Sequence, residues 1–287
     1  MHSGNGIKTV LVLGALSGLL LFAGSALGGQ RGLTYALGFA ILMNAGSYYF
    51  SDKIALASSG ARPVTREEAP KLYEVVERLC GKGNLPMPKL YMTPEAAPNA
   101  FATGRNPSHA SVAVTQGLME LMNDDELEGV IAHELSHVRN YDILTTSIAA
   151  TLAAAVTYLA TMARWGMIFG GMRDEEDSRG GGGVISLLLM AFLAPFAALL
   201  LQMMLSRRRE SAADETGARL VGHPYGLISA LEKLGAYNKR IPMDTSPATA
   251  SLYIVKPLTA STFANLFSTH PPLEERIEAL KQMVITR

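Results

Sequence analysis

Four long stretches without a charged side chain constrain this chain more than any other feature of its sequence. They cover residues 9–29, 32–51, 143–163 and 184–206. A helix needs about 20 predominantly apolar residues to cross the hydrocarbon core of a bilayer, and each stretch reaches that length. The sequence therefore predicts an α-helical membrane protein with four transmembrane helices, of which the first two form a tight hairpin.

The composition agrees with this interpretation. Only 17% of the 287 residues are charged, whereas a soluble domain carries about a quarter. The 25 basic groups balance the 25 acidic ones, and 48% of the residues are hydrophobic, which argues against a disordered chain and against a nucleic-acid-binding protein. The single cysteine, Cys80, excludes an intramolecular disulfide framework and suits a reducing compartment.

The first stretch has a second interpretation as a cleavable signal peptide. Lys8 supplies a basic start, and residues 25–28 resemble a cleavage site. A second uncharged stretch follows at once, however, and no cysteine-rich exported domain comes after it. Both features favour a retained anchor.

Basic residues near the ends of the stretches predict the orientation. Most of them follow the second and fourth stretches, as Lys53 and Arg207 do, and such residues mark the cytoplasmic side. The predicted organisation is a first transmembrane hairpin at residues 1–51 and a second at 143–206. Residues 52–142 and 207–287 together form one cytoplasmic domain.

The polar part of the chain predicts a mainly α-helical domain. Capping boxes begin at Thr65 and at Asn123, and each precedes apolar residues at helical spacing. Short segments of β character at 90–92, 100–103 and 111–115 are separated by proline, glycine and asparagine. They predict a small antiparallel sheet with one open edge.

The pattern H-E-x-x-H runs from His133 to His137 on the helix predicted after Asn123. Histidines four residues apart on a helix share a face, so both imidazoles can bind one ion. Two imidazoles suit zinc, which takes three protein ligands and a water in catalytic sites. Glu134 can reach that water without being a ligand. The alternative is a surface helix that carries two unrelated histidines.

A third ligand must come from elsewhere in the chain. Glu210 is the best candidate, because it shares a helix face with Asp214, so that one carboxylate can bind the ion while the other orients an imidazole. Glu210 follows His137 by 73 positions, and the third and fourth stretches lie within that interval, which would bring both helices to the same side of the membrane. Glu210 is alternatively a solvated charge, and the other possible ligands are His2, His109, His223, His270 and Cys80.

Taken together, these motifs resemble the HtpX heat-shock membrane proteases, a family related to the CAAX prenyl endopeptidases. The similar stretches are NAFATG (99–104), HELSH (133–137), ESAAD (210–214) and STHPP (268–272) with Arg276. The resemblance covers nearly the whole chain, including both pairs of uncharged stretches. It implies a zincin-like (gluzincin) metalloprotease domain in a multi-pass protein of the bacterial inner membrane, with the catalytic domain in the cytoplasm.

The resemblance also implies the composition of the active site. One Zn²⁺ per chain would be bound by His133, His137 and Glu210, and Glu134 would act as the general base. Glu134 would take a proton from the attacking water and pass it to the leaving amine, which is a common division of labour in metal-assisted hydrolysis.

Two further residues receive roles from the resemblance. Asp214 is expected behind a ligand histidine, and His270 is a candidate for stabilising the oxyanion of the transition state. From spacing alone, His270 is as easily the entry to a helix with Pro271 and Pro272 in its first turn. Arg276 would then be a solvated charge on that helix. The segment 242–267 is either a lid or a long loop.

The substrate-binding residues implied by the resemblance are Asn99, Ala100, Phe101 and Ala102. An edge strand there could take an extended peptide by strand addition, with little demand on the peptide's sequence. That suits a stress-response endopeptidase that cleaves misfolded or unfolded membrane proteins next to the lipid bilayer, together with other membrane quality-control proteases as partners.

Two other functions remain open from the sequence. One is a CAAX-type processing peptidase that acts on lipidated C-termini. The other is a catalytically silent membrane scaffold that zinc stabilises. Glu134 argues against the scaffold, because a structural zinc site needs no base and is normally closed by four protein ligands.

Overall fold

The protein is seen in a computed structural model that describes residues 2–148, 207–240, 254 and 271–283. The helices are α1 (His2–Ser58), α2 (Pro70–Gly83), α3 (Gln116–Leu121), α4 (Asp124–Arg139), α5 (residues 142–148), α6 (Arg207–Val221), α7 (Tyr225–Arg240) and α8 (Leu273–Lys281). The strands are β1 (Arg62–Pro63), β2 (Lys89–Thr93), β3 (Ala100–Gly104) and β4 (Ala110–Thr115).

Helix α1 consists of two arms joined at Gly29, where φ of 55° and ψ of −139° interrupt the helical backbone. Gly24 and Gly32 lie against each other beside this turn, and a Cβ on Gly24 would be 2.6 Å from the carbonyl oxygen of Gly32. Farther along the arms, Asn44 donates a hydrogen bond to Ser17 Oγ at 2.9 Å. The two arms therefore form a helical hairpin, and small residues at their contact allow the helices to approach closely.

The four transmembrane helices are not confirmed by the described part of the chain. None of its helices combines the length and the hydropathy that a membrane span requires. The stretch 184–206 lies outside the described residues, as does 143–163 apart from its first six positions.

The strands form one mixed sheet in the order β1-β2-β4-β3. Strands β3 and β4 make an antiparallel hairpin in which Ala102 lies opposite Val112, whereas β2 runs parallel to β4 with Leu90 opposite Val112. The expectation of a purely antiparallel sheet was wrong, because the chain passes from β2 to the far edge before the hairpin returns β4 to the middle. The three predicted segments are strands, and β3 lies at an edge of the sheet.

The core lies between the sheet, α2 and α4. Leu72 and Leu79 of α2 are fully buried, as predicted from their helical spacing. The predicted capping box does not begin this helix. Thr65 and Glu68 do bond reciprocally, but they close a turn that precedes the first helical residue, Pro70. Cys80 packs in the same core, and burial raises the pKa of its thiol to about 11.

The second predicted capping box begins α4. Asn123 and Glu126 bond reciprocally through side chain and backbone, each at 2.9 Å. Glu126 is buried and also accepts hydrogen bonds from Lys233 Nζ at 2.7 Å and from Ser229 Oγ at 2.6 Å. These bonds attach α7 to the first turn of α4. The start of the helix that carries the H-E-x-x-H pattern is therefore held both by its own capping box and by side chains of α7.

Candidate metal centre

Three side chains from two helices converge on one point. The Nε2 atoms of His133 and His137, both on α4, lie 3.3 Å apart. Glu210 of α6 places one carboxylate oxygen 3.7 Å from the Nε2 of His133 and the other 3.8 Å from that of His137. Tetrahedral ligands at about 2.1 Å from a zinc ion are about 3.4 Å from one another. The three side chains could therefore hold one divalent ion.

Glu210 reaches the two histidines because α6 crosses α4 very closely at Gly217. A Cβ at position 217 would lie 3.0 Å from the backbone nitrogen of His133 and 3.1 Å from the carbonyl carbon of Ala132. Asp214 lies about one turn and Glu210 about two turns before this crossing, on the same side of the helix. The close crossing thus brings both carboxylates over the H-E-x-x-H pattern.

Behind the cluster, Asp214 and Arg276 support His133. Oδ1 of Asp214 lies 2.8 Å from Nδ1 of His133, although the two atoms are not aligned for a hydrogen bond. Arg276 donates from Nε to Oδ2 of Asp214 at 2.8 Å and from Nη2 to Oδ1 at 2.7 Å. The alternative interpretation of Arg276 as a solvated helix charge was wrong, because its guanidinium is buried against this carboxylate.

Burial and charge decide the protonation of this group. Burial raises the pKa of Asp214, but Arg276 and His133 outweigh that effect and hold the pKa below its usual range. Burial lowers the pKa of His133 in spite of the opposing effect of Asp214. His133 is therefore neutral at neutral pH, which is the form that binds a metal ion.

His137 has a partner that the sequence analysis missed. Its Nδ1 donates a hydrogen bond to Oδ2 of Asp142 at 3.2 Å. Asp142 can turn back towards the helix because Tyr141 adopts the left-handed conformation, with φ of 58°. No motif in the sequence indicates this contact, since it depends on one backbone torsion at the end of α4.

The carboxylates around His137 change its affinity for protons. Burial lowers the pKa of His137, but the hydrogen bond to Asp142 and the charges of Glu210, Glu134 and Asp142 outweigh it and raise the pKa to about 9. A metal ion would have to displace this proton in order to bind Nε2.

Glu134 lies between the three candidate metal ligands, His133, His137 and Glu210, and the edge of the sheet. Its Oε2 accepts a hydrogen bond from the backbone N–H of Ala102 at 2.8 Å. Burial, aided by the charge of Glu210 and opposed by that of His137, raises the pKa of Glu134 to about 7. A carboxyl group with a pKa near neutrality can both take and release a proton at that pH.

The same hydrogen bond orients strand β3. In an antiparallel ladder, the backbone N–H and C=O groups of successive residues point alternately towards the partner strand and away from it. Because the N–H of Ala102 points to Glu134, the N–H and C=O of Phe101 point towards β4. The peptide groups of Ala100 and Ala102 then face the outer edge. At the far end of the strand, the N–H of Gly104 donates to Ser147 Oγ at 3.2 Å, so the outer edge is already occupied there.

The side chains predicted to contact substrate are buried. Phe101 packs with Ala55 and Leu56 of α1. The Asn99 side chain accepts a hydrogen bond from the backbone N–H of Ile254 at 3.1 Å. These two side chains therefore support the position of the strand, while the backbone of Ala100 and Ala102 forms its edge.

Several predicted residues lie outside the cluster. His270 and the segment 242–267, apart from Ile254, lie outside the described residues. Of the alternative third ligands that the structure describes, Cys80 belongs to the hydrophobic core, His109 bonds to Asn106 on the surface, and His223 stacks on Tyr225. In the described ranges, the group of side chains that could hold a metal ion contains Glu210 instead.

Comparison with known proteins agrees with this geometry. Residues 66–284 match the model of peptidase family M48. A protease HtpX homolog of Desulfatibacillum aliphaticivorans is 55% identical over 96% of this chain and 89% of its own length. One of Syntrophobacter fumaroxidans is 52% identical over 98% of this chain and the whole of its own length. One of Aquifex aeolicus is 46% identical over 94% of this chain and 90% of its own.

Among solved structures, S. mikatae Ste24p is similar in fold. Its crystal structure matches 96% of this chain and 65% of its own, with a TM-score of 0.51 and 19% sequence identity. The resemblance seen in the sequence motifs is confirmed by the family match and by relatives near 50% identity. The chain is therefore a metalloprotease that belongs to peptidase family M48 and, within it, to the HtpX proteases.

Proposed function

We propose that this protease is a zinc-dependent endopeptidase that hydrolyses peptide bonds in misfolded or unfolded membrane proteins. One observation carries the proposal. His133, His137 and Glu210 present one ligand atom each within 4.8 Å of one another, with the carboxylate of Glu134 beside the two histidines on the same helix. Three protein ligands leave a fourth position of a tetrahedral ion for water or substrate, which is the arrangement of catalytic zinc sites.

The chemistry of the donor set supports zinc, one ion per chain. Two imidazole nitrogens and one carboxylate oxygen suit this ion, which has no redox chemistry and accepts tetrahedral geometry. When bound, zinc supplies Lewis-acid polarisation of the peptide carbonyl and lowers the pKa of water to about 7.

The residues of the chain would carry the proton transfers. Glu134, with a pKa of about 7, would take a proton from the attacking water and deliver it to the nitrogen of the leaving amine. Asp214 and Asp142 would hold the rings of His133 and His137 in position from behind. We assign His270, which lies outside the described residues, the stabilisation of the developing oxyanion.

Strand β3 would receive the substrate. The backbone groups of Ala100 and the carbonyl of Ala102 face the outer edge, next to Glu134, which already accepts the N–H of Ala102. A peptide that adds a strand there would be held mainly by its own backbone, so that affinity places little demand on side chains. Such recognition suits segments that have lost their fold.

The protein would be located in the bacterial inner membrane. We propose that residues 1–51 and 143–206 form two membrane hairpins and that 52–142 and 207–287 form the cytoplasmic catalytic domain. The four uncharged stretches and the exposed apolar side chains of α1, among them Phe22 and Leu42 at 73% exposure each, support this organisation. Other membrane quality-control proteases are the expected partners.

The other two functions have less support. The curated relatives are named protease HtpX homolog, which favours an endopeptidase over a CAAX-type processing peptidase. The scaffold is disfavoured by Glu134, whose buried carboxylate would have no purpose in a structural zinc site.

A cleavage assay on the purified full chain in detergent tests the enzymatic proposal. Casein should be cleaved by the zinc-loaded protein, the activity should disappear with a chelator, and added zinc should restore it. Glu134→Gln should retain zinc but lose cleavage, because the amide cannot take a proton. Cleavage by the variant at the wild-type rate would remove Glu134 from the mechanism, and preference for a prenylated peptide over casein would favour the CAAX-type function.

Labelling of a single cysteine tests the membrane proposal. Cys80→Ser removes the natural thiol, and Glu74→Cys places a new one at an exposed position of α2. A membrane-impermeant maleimide should label this thiol in inverted membrane vesicles but not in intact spheroplasts. Labelling in spheroplasts would reverse the proposed orientation, and extraction of the protein by alkaline carbonate would contradict membrane spans.

A further inference from the structure

The guanidinium of Arg276 bonds in two directions at once. Its Nε and Nη2 donate hydrogen bonds to the two carboxylate oxygens of Asp214 at 2.8 and 2.7 Å, and its Nη1 donates one to the backbone carbonyl of Ile254 at 2.7 Å. Arg276, Asp214 and Ile254 are each at most 4% exposed. The first direction leads to His133, whose Nδ1 lies 2.8 Å from Asp214. The second leads away from the metal cluster.

The second direction ends at the start of strand β3. Ile254 donates its backbone N–H to Oδ1 of Asn99 at 3.1 Å. Asn99 is held in turn by Thr115 at the end of β4, because its N–H donates to Thr115 Oγ1 at 2.8 Å and its carbonyl accepts from the Thr115 N–H at 2.9 Å. Asn99 immediately precedes Ala100, the first residue of β3.

Strand β3 then leads back to the metal cluster. Three residues after Asn99, the N–H of Ala102 donates to Glu134, the neighbour of His133 on α4. Arg276 therefore bonds both to the carboxylate behind a candidate ligand and to the backbone that anchors the candidate substrate strand. If Arg276 served only to neutralise Asp214, its two bonds to that carboxylate would be enough and its bond to Ile254 would not be needed.

We propose that Arg276 is a positioning residue that couples the metal centre to strand β3, through Asp214 on one side and through Ile254 and Asn99 on the other. This inference rests on the proposed function, since it gives β3 a purpose in substrate binding. The planar guanidinium suits this task because its donors are fixed in direction, whereas a lysine ammonium is a point charge that cannot serve two directions with the same geometry.

The test compares three variants of the full chain with the wild type. Arg276→Lys retains the positive charge beside Asp214 but loses the fixed geometry, so it avoids leaving a buried carboxylate unpaired. Asn99→Ala removes only the link to Ile254. Arg219→Lys is the matched control, because Arg219 forms an exposed pair with Glu215 on the surface of α6. The measurements are hydrogen exchange of the peptide covering residues 99–104, zinc affinity by competition with a chromophoric chelator, and kcat and KM for casein.

Arg276→Lys should speed amide exchange in residues 99–104 and weaken zinc binding by about tenfold, at the lower end of the effect of outer partners of a metal ligand. Asn99→Ala should speed the same exchange and raise KM about fivefold, the effect of one hydrogen bond, while zinc affinity stays at the wild-type value. The double variant should raise KM no more than the larger single effect, since both changes break one path. Arg219→Lys should change none of these quantities.

Unchanged exchange in residues 99–104 for Arg276→Lys, together with weaker zinc binding, would overturn the coupling and leave Arg276 as a partner of the metal centre alone. Additive effects on KM in the double variant would also overturn it. If the wild type binds zinc but cleaves no casein, the proposed function fails, while the exchange and zinc measurements still decide the coupling.

Discussion

Asp142 accepts a hydrogen bond from Nδ1 of His137, the ring nitrogen that does not face Glu210, at 3.2 Å. This bond keeps the proton of the neutral ring on Nδ1 and leaves the lone pair of Nε2 directed at the point where His133 and Glu210 converge. Together with the surrounding carboxylates, and against the effect of burial, it raises the pKa of His137 to about 9. Asp142 therefore affects both the geometry of the candidate ligand and its competition with protons.

Replacement of Asp142 by asparagine should weaken zinc binding. The amide is nearly the same size, but it is a poorer acceptor and carries no charge, so His137 is held less firmly and becomes a weaker ligand. We expect a loss of about 10- to 100-fold in zinc affinity, measured by chelator competition, with little change in the circular dichroism of the folded protein. Asp124→Asn, at an exposed position of α4, is the control. Equal zinc affinity in the two variants would remove Asp142 from the site.

The zinc-free protein should lose stability as the pH rises from about 6.5 to 9. His137 has a pKa of about 9 in the fold and about 6.5 when unfolded, so the folded state holds more protons in this window and its advantage disappears with rising pH. The raised pKa of Glu134, about 7, acts in the same direction between about 4.5 and 7. The total effect of His137 is on the order of 3 kcal/mol.

Zinc should reverse this trend, because binding displaces the proton of His137 and becomes more favourable as that proton is lost. Thermal melts in chelator and in zinc, at pH values between 6 and 9, should show a difference in Tm that widens with pH. The lowered pKa of His133 places the loss of its proton at or below the acidic end of this range, so the widening at higher pH comes from His137. A difference that narrows with pH would contradict the assigned proton on His137.

Replacement of Ala102 by proline should lower kcat and spare zinc binding. Proline removes the N–H that Glu134 accepts, yet it breaks no bond between β3 and β4, because the peptide groups of Ala102 face the outer edge. A hydrogen bond to a charged group is worth about 1.5–3 kcal/mol, so the expected loss is roughly 10- to 100-fold. Ala102→Gly keeps the donor and should stay within about threefold of the wild type. Phe101→Pro would instead remove a ladder bond to β4 and so would disturb the fold.

Replacement of Gly217 by alanine should separate the two helices of the metal cluster. The added methyl would meet the backbone of His133 and Ala132 at 3.0 and 3.1 Å, and backbone atoms cannot move aside as a flexible side chain can. We expect destabilisation of about 1–3 kcal/mol by urea unfolding and weaker zinc binding. Gly81→Ala on α2, where a Cβ meets no atom within 4 Å, should be neutral or slightly stabilising. The same response in both variants would contradict a close crossing at Gly217.

The sequence predicted the local part of the site well. The spacing of His133 and His137 is fixed by the period of one helix, and so is that of Glu210 and Asp214, so both pairs could be found without tertiary information. The capping box at Asn123 is also local, and the structure confirms it. The strand segments were predicted from β-forming residues between turn-forming ones, and they lie where expected.

The remaining contacts depend on distances in space that local patterns do not contain. Asp142 meets His137 only because Tyr141 has a positive φ. In the sequence, Arg276 lies beside an apolar helix face, a pattern that is also typical of a solvated charge. Its burial is made possible by Asp214, 62 positions earlier in the chain. The parallel pairing of β2 with β4 follows from the path of the chain around the sheet, which strand propensity does not specify.

The candidate third ligand, Glu210, follows His137 by 73 positions along the chain. An ion bound by His137 and Glu210 would cross-link the two ends of this 73-position interval. The stabilisation from closing such a chain loop grows slowly with the number of residues enclosed. Both ends of the enclosed segment, which contains residues 143–206, would be fastened at the ion. Removal of the ion would therefore release the two ends together, and limited proteolysis of the metal-free protein should begin at the junctions of this segment rather than in the sheet.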